Sequence, residues 1–255
     1  MPEHRIGIIG TGGIARVHAN GYRAVLGDLG SVVAGCDPDR ARLNSFCDRH
    51  DVALRFETTD ELIRSGEVDV IALLTPPAVR HEVIGPAAER GIHMLVEKPF
   101  GECLGDAISF LDAAEDGGAR IAVNHELRFM PDALRTHELV TAGAIGDVRF
   151  IAHDQFQNRT TVGGWRATEK RLEISIFSIH LLDKLRWIAG KPPVSVVCPT
   201  RRGIGSRPMR RGMDGRSSSL RTTGCRKTGH LCRLLSCPRC RTKRSPRHSP
   251  GSTKT

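Results

Sequence analysis

The polar residues able to do chemistry in this chain stand at the ends of apolar runs. Glu97-Lys98-Pro99 closes the run Ile92-His93-Met94-Leu95-Val96. Open parallel sheets bind ligands outside the carboxyl ends of their strands. A lysine placed there can be shifted by desolvation or by a cationic neighbour, and can then relay protons. The same tripeptide would also suit a surface turn. His180 is the second candidate. It lies in Ser178-Ile179-His180-Leu181-Leu182-Asp183, at the start of an apolar-periodic helix that runs to Gly190. Imidazole titrates near neutral pH and makes a natural general base. The alternative is a helix histidine satisfied locally. Asp183 fits a structural role, orienting its helix or pairing with a neighbour.

Such residues need a scaffold, and the first half of the chain supplies its pattern. The strand-like run Arg5-Ile6-Gly7-Ile8-Ile9 leads into Gly10-Thr11-Gly12-Gly13-Ile14-Ala15. A helical stretch follows, with Ala15, His18, Ala19, Tyr22 and Leu26 at helical spacing. In a G-x-G-x-x-A loop the first glycine allows the tight turn and the second lets backbone approach a pyrophosphate. The small third residue packs helix on strand, and the first helical N–H groups face the phosphates. Glycines alone also suit any strand-to-helix turn. A second run, Val32-Val33-Ala34-Gly35-Cys36, ends in Asp37, 22 residues after Ala15. An acid about 20 residues past the glycines is placed for the ribose hydroxyls of NAD and would repel the extra phosphate of NADP. Arg40 and Arg42 blur that preference and keep NADP as an alternative. Asp37-Pro38-Asp39 also reads as an ordinary turn or helix N-cap.

The alternation continues. Strands are expected over residues 68–74, 92–96 and 120–123, and helices over 79–90 and 107–114. Strands alternating with helices imply parallel crossovers and an α/β, doubly wound Rossmann sheet. This pattern sets a first domain at residues 1–124.

The sequence resembles the Gfo/Idh/MocA family of NAD(P)-dependent oxidoreductases, which act mainly on sugars, polyols and related compounds. The resemblance rests on GIIGTGGIARVH, CDPDR, LLTPPAVRHEVIGPAAERGIHMLVEKPF, VNHELRFMPDALRTHELVTAGAIGDVRFI and IHLLDKLRWIAG, spread over residues 5–197. It implies that Gly10, Gly12, Gly13, Ile14 and Asp37 hold the cofactor. It also implies that Thr75-Pro76-Pro77 line the nicotinamide side, with Glu97, Lys98 and Asn124 near the nicotinamide and the substrate hydroxyl. Oxidising a carbinol needs a hydride acceptor and a group that takes the hydroxyl proton. Lys98 can stabilise the alkoxide or relay that proton. With the resemblance, His180 becomes a site residue beside Lys98. The sequence departs from the family at one point: an Asp often stands four residues before this His, and here that position is Ile176. Glu173, one turn away, is the nearest carboxylate in the segment. Gly163-Gly164-Trp165-Arg166 reads either as a substrate loop, with Trp165 over a sugar face and Arg166 on an anionic group, or as a surface loop.

The composition changes abruptly after residue 199. Residues 200–255 hold 13 Arg, 3 Lys and one acid, Asp214, for a net charge of +15. Residues 1–199 carry −5, so the whole chain's +10 comes from this segment. It contains no Ala, Val, Phe, Trp, Tyr, Glu, Gln or Asn. Such a segment cannot bury enough apolar surface to offset its ordering entropy, and disorder is expected. Three origins compete: a frame-shifted end of a GC-rich gene, a basic arm for nucleic acid, and a zinc site from Cys225, Cys232, Cys237 and Cys240. Aromatic interleaving and four well-spaced ligands are missing, which argues against the last two. No metal is expected. Residues 125–199 then form a partial α+β substrate and oligomerisation domain, with strands expected at 150–156 and 194–197. A homo-oligomer is expected only if that domain is complete, and truncation is expected to impair activity. The competing functions are a non-catalytic nucleotide-binding remnant or sensor, and nucleic-acid binding through the basic segment. Residues 1–20 lack a long apolar core, and no run reaches the length of a membrane span. Scattered Cys36, Cys47 and Cys103 point to reduced thiols and a cytoplasmic location.

Overall fold

The computed structural model describes residues 4–154, 166–167 and 176–195. Expectations for Trp165, Glu173 and the whole of residues 200–255, including the four cysteines there, lie outside the described residues.

Six strands form one sheet: β1 (His4–Ile9), β2 (Gly30–Cys36), β3 (Leu54–Phe56), β4 (Val70–Leu73), β5 (His93–Glu97) and β6 (Ile121–Asn124). Their order is β3-β2-β1-β4-β5-β6 and every pair is parallel. This is the doubly wound order, with its reversal between β1 and β4. The helices are α1 (Gly13–Val25), α2 (Arg40–His50), α3 (Thr59–Arg64), α4 (Arg80–Ala88), α5 (Leu104–Asp116), α6 (Pro131–Thr141) and α7 (Ile179–Ala189). The expected strands and helices of residues 5–124 are present. The expected helix over 79–90 is a 3₁₀ turn at Pro77–Val79 followed by α4.

The sheet buries both faces. Ile6, Ile8 and Ala72 pack with Ala15 and Ala19 of α1 and with Leu43, Phe46 and Cys47 of α2. Ile9, Ile71, Leu73 and Val96 pack on the other side with Leu62 of α3, Val83 and Ile84 of α4 and Phe110 of α5. Alternate residues of one strand serve opposite cores, which is why β1 and β4 read as unbroken apolar runs.

Three helices and one strand escaped the sequence reading. The missed strand, β3, is three residues long and follows α2. Within Asp37-Pro38-Asp39 it is Asp39 that caps α2, its carboxylate accepting from Arg42 N at 3.1 Å. α3 carries a capping box: Glu61 N donates to Thr58 Oγ1, and Thr58 N to Glu61 Oε2, each at 3.2 Å. α6 starts at Pro131, a favoured first helical residue. The strand expected at 150–156 is absent over its described part, residues 150–154, which are irregular, as are residues 194–195. A strand persists only where its backbone groups find a ladder, and no described strand pairs with either segment.

α4 and α5 meet closely at Gly117, the C-cap of α5. A Cβ built there would stand 2.1 Å from the Ala88 carbonyl oxygen. That atom is backbone and cannot turn aside. Gly117→Ala is therefore expected to lower the unfolding free energy by about 1–3 kcal/mol, the scale of an overpacked core site, measured by urea denaturation against the parent chain.

Candidate active site

Parallel pairing in register brings the carboxyl ends of the strands to one edge. Ile9 pairs with Cys36 and with Leu73, Leu73 with Val96, and Glu97 with Asn124. The residues that follow, Gly10, Asp37, Leu74, Lys98 and His125, therefore emerge side by side. All but His125 border an open cleft of about 1260 Å³ that runs from Asp37 and Thr58 past Gly12 and Thr75 to Lys98 and Glu126.

The glycine loop is built to admit a ligand. Gly10 adopts φ +92°, and a Cβ there would meet the Leu74 carbonyl at 3.1 Å. At Gly12 and Gly13 a Cβ would meet nothing within 4 Å, so both open directly onto free space at the N-terminus of α1. Ile14 borders the same cleft and is 42% exposed. Asp37 is buried, 3% exposed. Its Oδ2 accepts from Thr11 N at 2.9 Å and Thr11 Oγ1 at 3.1 Å, and Arg42 Nη1 approaches at 3.4 Å. Oδ1 accepts from Asp39 N at 3.0 Å. A carboxylate has about four lone-pair sites, so Oδ1 keeps one for a ligand hydroxyl. Asp37 therefore fixes the glycine loop and still faces the cleft. The buried Thr75 Oγ1 has no partner among the described residues and belongs to a residue bordering the cleft with Pro76. Open glycine faces, a buried acid with spare acceptor capacity and an orphaned hydroxyl fit a dinucleotide.

Glu97 lies at the other end of the cleft, 9% exposed. Oε1 accepts from Asn124 Nδ2 at 2.6 Å and faces His18 Nε2 at 3.1 Å, and Oε2 accepts from Lys98 N at 3.2 Å. Burial alone would raise this carboxyl's pKa. The bonds from His18 and Asn124 outweigh it and hold the group below the ordinary carboxylate value. His18 Nδ1 meets Tyr22 Oη at 3.0 Å, so α1 joins the network.

Lys98 Nζ donates to the Ile176 carbonyl at 3.1 Å. Burial lowers its pKa, opposed by Glu97 and Glu126. The position that lacks the family's Asp thus still contributes an acceptor, through its backbone. His180 is buried and does not border the cleft. Its Nε2 lies 3.4 Å from Glu126 Oε1, and Glu126 does border it. Burial, then Lys98 and His125, push the His180 imidazole down to about 4. Asp183 has the structural role expected of it. It accepts both arms of Arg128, from Nε at 2.6 Å. Arg166 borders the cleft near Lys98. His18 and Glu126 escaped the sequence reading. Their partners lie 79 and 54 residues away in sequence, and no local spacing announces them. Arg80 was missed too: fully buried at the start of α4, its one hydrogen bond among the described residues is a 3.5 Å contact to the Thr75 carbonyl.

Residues 4–125 match the oxidoreductase family with NAD-binding Rossmann fold known as Gfo/Idh/MocA. This region belongs to that family. Two curated relatives are 28% identical: the rhizopine catabolism protein MocA of Rhizobium meliloti over 196 residues, and the D-glucoside 3-dehydrogenase of Escherichia coli over 199. Each match covers 76% of this chain, but only 60% and 56% of the relative. The chain thus spans little more than half the length of these curated relatives. Among solved structures, an oxidoreductase domain protein from Kribbella flavida superposes with a TM-score of 0.65 at 22% identity, covering 74% of this chain and 55% of that one. The scyllo-inositol dehydrogenase of Lactobacillus casei, solved with NAD(H) and scyllo-inositol, gives 0.60 at 21%, covering 73% and 56%. At such identity these two show the fold alone. Among the described residues, no helix is long and apolar enough to cross a membrane.

The Glu97 network makes a prediction with a definite sign. Its folded pKa lies below the ordinary 4.5, so the unfolded chain binds the proton more readily. The stabilisation is full above about pH 4.5 and is lost as pH falls through the lower folded value. Urea unfolding across pH 3–7 should show Glu97→Gln less stable than the parent at pH 7, with the gap closing in acid. A gap independent of pH would contradict the ionised, hydrogen-bonded carboxylate.

Proposed function

We propose that this chain is an NAD-dependent oxidoreductase acting on a secondary hydroxyl of a sugar, polyol or related compound. One observation carries the reading. An amine of lowered basicity, Lys98 Nζ, stands in the same cleft as an open glycine loop and a buried acid. The dehydrogenase relatives support the substrate class by analogy.

In this reading Gly10, Gly12, Gly13 and Ile14 accommodate the pyrophosphate. Asp37 takes a ribose hydroxyl on its free lone pair, and Thr75, Pro76 and Asn124 border the nicotinamide end. The bound dinucleotide supplies the hydride acceptor. Glu97 locks α1, β5 and β6 around that end. Lys98 meets the substrate oxygen and stabilises the charge that grows on it as the proton leaves. Its engagement with the Ile176 carbonyl fixes the amine and leaves two further N–H donors for substrate. Arg166 is placed for a polar substituent of the substrate.

Two measurements test this. NAD should bind about tenfold or more tightly than NADP in calorimetric titration, a difference of about 1.4 kcal/mol or more. Arg42→Ala should widen that gap, because the half-exposed guanidinium beside Asp37 is the cation that would tolerate a 2′-phosphate. Equal affinities in both proteins would remove Asp37 from its role. Where polyol oxidation is measurable, Lys98→Ala should lower kcat by roughly 10²–10⁴-fold with cofactor affinity little changed. NAD binding with no turnover would instead favour a nucleotide-binding protein without catalysis.

A further inference from the structure

We propose that Glu126 is the cleft-facing proton acceptor for the substrate hydroxyl and that His180 is its positioning partner. The inference rests on the dehydrogenase reading above.

Geometry argues for this division of labour. His180 is the histidine that a motif-based reading places on the substrate, yet it is 8% exposed and does not border the cleft. Its Nδ1 is buried without a partner among the described residues, and Nε2 points at Glu126 Oε1, 3.4 Å away. Glu126 is half-exposed and borders the cleft together with Lys98, Glu97 and Asn124. The carboxylate therefore stands between the imidazole and the space a substrate would fill. The turn that carries it, Glu126–Phe129, is fastened to α7 a second time by the Arg128–Asp183 ion pair. The imidazole–carboxylate contact and the ion pair thus hold Glu126 and His180 in fixed relation.

Lys98 cannot do both tasks. As an ammonium it has three donors and no lone pair, and one donor is engaged with the Ile176 carbonyl. It can stabilise an alkoxide but cannot take the proton while charged. In the proposed step the substrate O–H bond breaks and its proton passes to a Glu126 oxygen. The carbinol C–H bond breaks with its electron pair, which leaves as hydride to the nicotinamide ring of NAD. The C=O bond forms, giving a ketone, the reduced dinucleotide and a protonated Glu126. The half-exposed carboxyl then returns the proton to water. The charged and titratable groups acting on the pair are Glu97, Lys98 and His18 around Glu126, and Lys98, His125, Glu97 and Asp183 around His180. Burial, with Glu97, raises the Glu126 carboxyl above its ordinary value, toward the range useful for a base.

The test uses the full chain and two readouts. Carbon-13 NMR of the side-chain carboxyls follows the Glu126 titration, assigned by the signal that Glu126→Gln removes. A donor on the charged form lowers a carboxyl pKa. His180→Phe should therefore raise the Glu126 midpoint by about half a unit or more, and His180→Gln, which keeps a donor, by less. Equal midpoints in the parent and both variants overturn the pairing, whatever the chain does with substrate. The second readout is NAD-dependent oxidation of myo-inositol as the probe. Glu126→Gln should lower kcat about 10²-fold or more with KM little changed, and Glu126→Asp should recover part of the loss. Glu126→Gln at the parent rate overturns the acceptor role. A coupled pair in a chain that oxidises none of the polyol overturns the dehydrogenase reading, and the acceptor role with it, while the pairing stands.

Discussion

One buried carboxylate ties this site together. Glu97 ends β5 and receives bonds from β6 through Asn124, from α1 through His18 and from the backbone of Lys98. A charge removed from water is costly unless every lone pair finds a donor. Here the donors come from three separate elements, so the charge is tolerated only while those elements keep their relative positions. Asn124 stands opposite Glu97 because β5 and β6 are in register, and a one-residue slip would turn one of the two side chains to the other face. His18 reaches Glu97 because Ala15 and Ala19 let α1 lie close on the sheet. The requirement to satisfy Glu97 thus couples helix packing to sheet register, and both to the placing of Lys98 one residue later.

The opposite end of the cleft follows similar logic at smaller scale. Asp37 accepts the backbone and the hydroxyl of Thr11, so the acid suited to a ribose also shapes the loop suited to its phosphates. Removing it would disturb both functions at once. A loss of cofactor affinity in an Asp37 variant therefore carries two contributions, and the effect of Arg42→Ala on NADP separates them, because Arg42 lies outside the loop.

Local chemistry was legible in the sequence, and non-local chemistry was not. The glycine loop, Asp37 and the Glu97-Lys98 pair were readable because each depends on a strand end and the few residues beyond it. The α3 capping box, Thr58 with Glu61, was equally local and was passed over because α3 itself is only six residues long. α2 was obscured by composition, its sequence RARLNSFCDRH being largely polar around a narrow buried face of Leu43, Phe46, Cys47 and His50. His18 and Glu126 are a different matter. Their types are unremarkable, and their meaning arises only when the sheet order brings α1 beside β5 and the β6 exit beside α7. The strand expected at 150–156 is absent over residues 150–154 for the converse reason: a strand needs a partner as well as a suitable local sequence.

Ile176 shows how a substitution can preserve one function of a site and shift another. A carboxylate at that position would hold Lys98 by charge and keep it protonated. The backbone carbonyl found there holds the amine with one hydrogen bond and no countercharge. Charge stabilisation of Lys98 then falls to Glu97 and Glu126, against the cost of burial. The balance leaves the amine less basic than a free lysine, and therefore more responsive to charge developing on a bound oxygen. It also leaves Glu126, a carboxylate that borders the cleft, 3.4 Å from the buried His180. A negative charge removed from one wall of the cleft is thus supplied from another, by a turn whose position depends on the Arg128–Asp183 pair. On the proposed roles of Lys98 and Glu126, the acid–base character of the cleft depends on how α7 docks on that turn, so a change that loosened Arg128 from Asp183 would reach the chemistry without touching a residue that lines the cleft.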